Sequence, residues 1–95
     1  MKEIALDASA WQKRDDFYDA LLPALGAPGW HGRNLDALND SISGDNISAV
    51  RLPFRIKITN TASVPADLQG YLFKFADLLT ELRVSRDCEV YLMLD

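Results

Sequence analysis

The sequence predicts an α/β domain built on a three-stranded, mainly parallel sheet. Two observations carry that expectation. Short apolar segments of strand character alternate with longer segments of helical periodicity, in the order strand, two helices, strand, helix, strand. Strands separated by helices pair in parallel through right-handed crossovers. The chain has 95 residues, which suits one domain spanning 1–95, and 48% of them are hydrophobic, which excludes disorder.

The first strand is expected around Ile4-Ala5-Leu6, an apolar run followed by polar residues near Asp7. A helix follows from Asp15 to Gly26. Phe17, Leu21 and Leu25 recur at i, i+4 and i+8, Asp15 and Asp16 suit its start, and Gly26 suits its end. Pro23 conflicts with this helix and is expected to kink it or end it early. Ala27 to Gly32 reads as a loop. A second helix is expected from Asn34, a good N-cap residue, to Ser43, closed by Gly44, with Leu35, Leu38 and Ile42 on its buried face. Asp45 to Leu52 reads as a loop.

Phe54 to Thr59 alternates apolar and polar residues, which predicts a strand with one wet face or an edge strand. Residues Thr59 to Val64 are turn-like, and Pro65 with Asp67 suits a first helical turn. The strongest periodicity in the chain follows: Leu68, Tyr71, Leu72, Phe75, Leu78, Leu79 and Leu82 trace one wide apolar face. Val90 to Leu94 is an unbroken apolar run, expected to be a strand covered on both faces. Phe75, Leu79 and Leu92 are the expected core.

Composition excludes several functions. Ten basic against 14 acidic residues leave a net charge of −4, so the chain would repel phosphate, and no direct nucleic-acid partner is expected. No apolar run approaches the roughly 20 residues of a membrane span, so no membrane partner is expected either. A lone cysteine, Cys88, allows no internal disulfide and reads as inert packing. With one His beside it, a structural zinc site lacks ligands. The N-terminus has no signal-peptide pattern, so a cytoplasmic location is expected.

The segment from Pro28 to Asp45 concentrates the candidate chemistry. Asp36 and Asp40 lie four apart, so they share a helix face, turned away from Leu35, Leu38 and Ile42 and flanked by Asn39 and Ser43. No Lys or Arg within the helix stands three or four residues from either. Such a pair reads as a solvated acidic face, as an anionic docking surface, or as catalytic or metal-binding carboxylates. Trp30 and His31 sit between Gly29 and Gly32, where Trp30 is either an exposed interface anchor or folded back onto the core. A hydrolase using Asp36, Asp40 and His31 is disfavoured, because two carboxylates on one exposed helix face enclose no cleft. A hard-cation site on Asp36, Asp40 and Asp45 offers three carboxylates where six or more oxygens are needed.

The run Pro28-Gly29-Trp30-His31-Gly32-Arg33-Asn34-Leu35-Asp36-Ala37-Leu38-Asn39-Asp40 resembles the signature of the barstar family of ribonuclease inhibitors. Its specific core is Gly32-x-Asn34-Leu35-Asp36-Ala37-Leu38. The resemblance extends by pattern and spacing over nearly the whole chain, including Pro53 and Cys88. It implies a barstar-like fold and an intracellular inhibitor, or immunity protein, that protects a bacterial producer from its own secreted ribonuclease. It implies no enzymatic activity, no cofactor, and a monomer when free. The implied partner is a basic, barnase-like ribonuclease or a related toxin. The alternative is an interaction module of the same fold with another basic partner.

Carried over, Asp36 and Asp40 are the main anionic anchors, with Asp40 entering a phosphate pocket. Trp30 stands where the family has an aromatic that stacks on the target's catalytic histidine. Gly32 and Asn34 match loop and cap positions, and Glu81 on the long helix matches a further acidic contact. The chain departs from the family at His31, which replaces a second aromatic. It departs again at Asn39 and Asp45, which stand where the family's namesake has tryptophans. These changes fall on the rim of the implied contact surface, which also includes His31, Asn39 and Asp45.

Overall fold

The structure is a computed structural model, and it describes residues 2–27, 32–44 and 53–95. Among these, the strands β1 (Lys2–Asp7), β2 (Phe54–Thr59) and β3 (Val90–Leu94) form one sheet in the order β1-β2-β3. Both pairs are parallel. Ile4 lies opposite Ile56, and Ile56 opposite Leu92. Helices α1 (Arg14–Leu25) and α2 (Leu35–Gly44) connect β1 to β2, and α3 (Ala66–Arg86) connects β2 to β3 after a 3-10 turn at Thr61–Ser63. The predicted α/β class and parallel pairing hold. β2 is the central strand, so the edge-strand option for Phe54–Thr59 falls away.

Each crossover steps one strand in the same direction, and right-handed crossovers then place the helices on one face. Burial agrees. Ile4, Leu6, Phe54, Ile56, Ile58 and Val90 are buried, whereas Glu3, Ala5, Tyr91 and Met93 are exposed. The expectation that β3 is covered on both faces is therefore corrected. As an edge strand with one open face it holds Val90 in the core, leaves Leu92 partly buried, and turns Tyr91 and Met93 to solvent. Tyr91 keeps company there with the Arg83 guanidinium, 5.1 Å from its ring centre. On the same open face Glu3 and Arg55 form an ion pair between β1 and β2.

Helix α1 starts where the Asp16 carboxylate accepts the backbone N–H groups of Gln12 (2.8 Å) and Lys13 (3.2 Å). The Gln12 bond leads in holding that carboxyl below its ordinary range. The helix runs through Pro23 to Leu25, so the early end that Pro23 suggested does not occur. Pro23 sits in the last turn, and the bond it cannot donate would have gone to Asp19 on the exposed side. The stop signal is Gly26 instead. At φ 69° it donates to Pro23 O, while Ala27 donates to Leu22 O, a Schellman closure.

The core lies between the sheet and α1 and α3. Phe17 makes edge-to-face contacts with Tyr18, Phe75 and Trp11 at 4.9, 5.2 and 5.7 Å between ring centres. Along α3, Leu68, Tyr71, Leu72, Phe75, Leu79 and Leu82 are buried as their spacing predicts, with Leu78 partly buried. The buried hydroxyls of Tyr18 and Tyr71 satisfy one another at 2.5 Å. Burial pushes the Tyr18 hydroxyl well above its usual range.

Candidate functional site

Helix α2 is positioned by the residues around its first turn. Asn34 caps it, its Oδ1 accepting the Ala37 N–H at 2.7 Å. Gly32 allows the preceding chain to pass close by. A Cβ at that position would stand 3.1 Å from the Ala37 Cβ and 3.3 Å from the Asn34 amide nitrogen. Leu38 and Ile42 are buried and Leu35 partly so, packing α2 beside α3. Farther along, the Ser43 hydroxyl donates to Asn39 O at 2.6 Å.

Once these structural tasks are assigned, Asp36 and Asp40 remain. Both are exposed, on the face away from Leu38 and Ile42, as their spacing predicts. Asp36 lies in the first turn, where the helix dipole favours an anion. Asp40 lies beyond that turn and has no such support. Among the described residues no cation forms an ion pair with either. Arg33, the nearest cation in sequence, is turned toward α1. Its guanidinium pairs with Asp19 at 2.7 Å and with Asp15 at 3.6 Å. The Asp19 hydrogen bond leads in raising its pKa further.

Asp36 and Asn39 line a groove between α2 and α3, together with Leu35, Leu78, Lys74, Asp77 and Glu81. The fold thus brings Glu81 beside Asp36 and Asn39 across more than 40 positions of sequence. Asp77 is a residue that sequence reasoning missed. It stands one helical turn before Glu81, and the spacing of those two carboxylates repeats the like-charge pattern of Asp36 and Asp40. Gly32 and Asn34 act on the placement of α2. Trp30, His31 and Asp45, and with them the two readings of Trp30, lie outside the described residues.

The arrangement suits recognition of a cationic surface. Cys88 is buried, as expected of a packing residue. Among the described residues no three His, Cys, Asp or Glu side chains gather closely enough to hold a metal ion. No helix there is long and apolar enough to cross a membrane. The family model described as Barstar (barnase inhibitor) matches residues 1–92. No curated protein matches the chain.

Proposed function

This chain belongs to the barstar family, whose members are inhibitors and not enzymes, and on that premise we propose that it blocks the cationic active site of a basic, secreted microbial ribonuclease. Residues 1–95 act as one domain in this reading, working in the cytoplasm of the producing cell. The observation that supports it best is the exposed Asp36 and Asp40 pair, with no cation paired to either among the described residues. A ribonuclease must hold phosphates, so its catalytic pocket is positive, and an acidic helix face is complementary to it. Such complementarity speeds encounter and selects partners.

In this reading Asp40 enters the phosphate pocket and Asp36 lies beside it. Glu81 and Asn39 extend the contact along the groove, while Trp30, His31 and Asp45 complete the rim. The inhibitor competes with RNA by occupying the ground that phosphates would take. The test is an RNA-cleavage assay in which the purified chain is titrated against a basic secreted ribonuclease from the same source. Inhibition that saturates at one inhibitor per enzyme and weakens with added salt supports the proposal. Undiminished cleavage at an excess of the chain contradicts it.

A further inference from the structure

The two outer edges of the sheet differ in kind. β1 carries Lys2, Glu3 and Asp7, charges of the sort that discourage edge pairing. β3, with the sequence VYLML, carries none between the Glu89 and Asp95 that flank it. Apolar exposure concentrates at the same place. Of the large apolar side chains exposed among the described residues, Tyr91 and Met93 lie on β3, Phe73 shares a groove with Leu72 and Leu94 beside it, and Val84 lies on α3.

Unmet backbone groups coincide with this apolar edge. The Phe54 N–H donates to Glu89 O, and the Asp95 N–H donates to Ile58 O. Alternation along the ladder then turns residues 89, 91, 93 and 95 toward β2, and residues 90, 92 and 94 outward. Val90 is already satisfied: its N–H donates to Cys88 O at 2.8 Å, and its carbonyl accepts Nη1 of Arg83 at 2.7 Å. The outward N–H and C=O groups of Leu92 and Leu94 have no hydrogen-bond partner among the described residues.

We propose that β3 is a self-association edge, on which a second copy of this chain pairs antiparallel about a twofold axis at Met93. In that register Leu92 faces Leu94 of the second copy, and the open groups of both strands are met together. The two Met93 side chains meet at the axis, each diagonal to the other copy's Tyr91. Charge selects this occupant. Tyr91 comes opposite Asp95 of the second copy, which delivers a carboxylate beside Arg83. The Arg83 guanidinium lies over the Tyr91 ring; Asp87 and Glu89 line a groove with both, but Arg83 forms no ion pair among the described residues. A contact of this size gives a weak dimer, and Asp36 and Asp40 take no part in it.

The experiment is sedimentation equilibrium on the full chain from about 1 μM to about 1 mM, the span over which weak association shows. The wild type is expected to pass from monomer to dimer. Met93→Lys sets two lysines against each other at the axis, and Leu94→Pro removes an outward N–H while sparing the ladder to β2. Each is expected to weaken the dimer about tenfold or more. Ribonuclease inhibition by Met93→Lys is expected to match the wild type, which separates this proposal from the preceding one. A wild type that stays monomeric throughout, as the sequence reading expects of the free protein, overturns it. So does undiminished dimerisation by the Met93→Lys variant, shown to be folded by its circular dichroism, even if Leu94→Pro fails to fold.

Discussion

Single side chains in this protein divide into those that position α2 and those left over by that task. Gly32, Asn34 and Ala37 fit one another so closely that the family signature is in large part a helix-start motif. The cap was legible in the sequence because Asn before an apolar-periodic run has a local cause. The close approach at Gly32 was not, because it depends on where the chain passes Ala37. Ser41 was equally illegible. Its hydroxyl is fully buried with no hydrogen-bond partner among the described residues. Replacing Ser41 with Ala removes that unmet group and adds helix propensity, so Ser41→Ala should raise stability by about 1–2 kcal/mol in urea denaturation. Asp16 gives the opposite expectation. Its folded pKa is depressed by the Gln12 bond, so its contribution is complete above the ordinary aspartate range and fades as pH falls through the folded value. Asp16→Ala should therefore lower the thermal midpoint at neutral pH, and the gap to wild type should close on acidification. A gap that persists in acid would assign the loss to something other than the carboxylate.

At the scale of elements, periodicity reported what each segment buries, and it misreported where local rules meet tertiary context. The stripe of α3 was readable because six of its positions are buried on one side of the helix, against the sheet and α1. Pro23 misled because a missing N–H on the exposed side of the final turn costs little when Leu21, Leu22 and Leu25 are held in the core. β3 misled because an apolar run resembles a strand covered on both sides, whereas this one lies at an edge with Tyr91 and Met93 in solvent. In α2 the two aspartates differ in their support. Asp36 has the helix N-terminus beside it, so Asp36→Ala should lower the thermal midpoint slightly. Asp40 has only a like-charged neighbour, so Asp40→Ala should leave the midpoint unchanged or raise it slightly. A marked loss of stability in Asp40→Ala would mean that the aspartate is structural.

The whole molecule is a one-sided parallel sheet whose helices share its buried face. Phe75 is fully buried at the centre of that arrangement, in contact with Phe17. Phe75→Ala should cost about 3–5 kcal/mol in a denaturant titration, and a cost below about 1 kcal/mol would contradict the core as described. The class, the parallel pairing and the acidic face of α2 were legible in the sequence, whereas the order of the strands was not. The groove was not, since bringing Asp77 and Glu81 beside Asp36 requires the packing of α2 on α3. The central claim is that the acidic face serves binding and not folding. It is tested most directly by the affinity of wild type and Asp40→Ala for a basic secreted ribonuclease, with thermal midpoints taken on the same preparations. The account predicts an equal or higher midpoint for Asp40→Ala. It also predicts binding weakened by about 2–5 kcal/mol, a range drawn in part from the barnase–barstar pair itself. Equal affinity for the ribonuclease, or a weakened affinity accompanied by an unfolded variant, would contradict it.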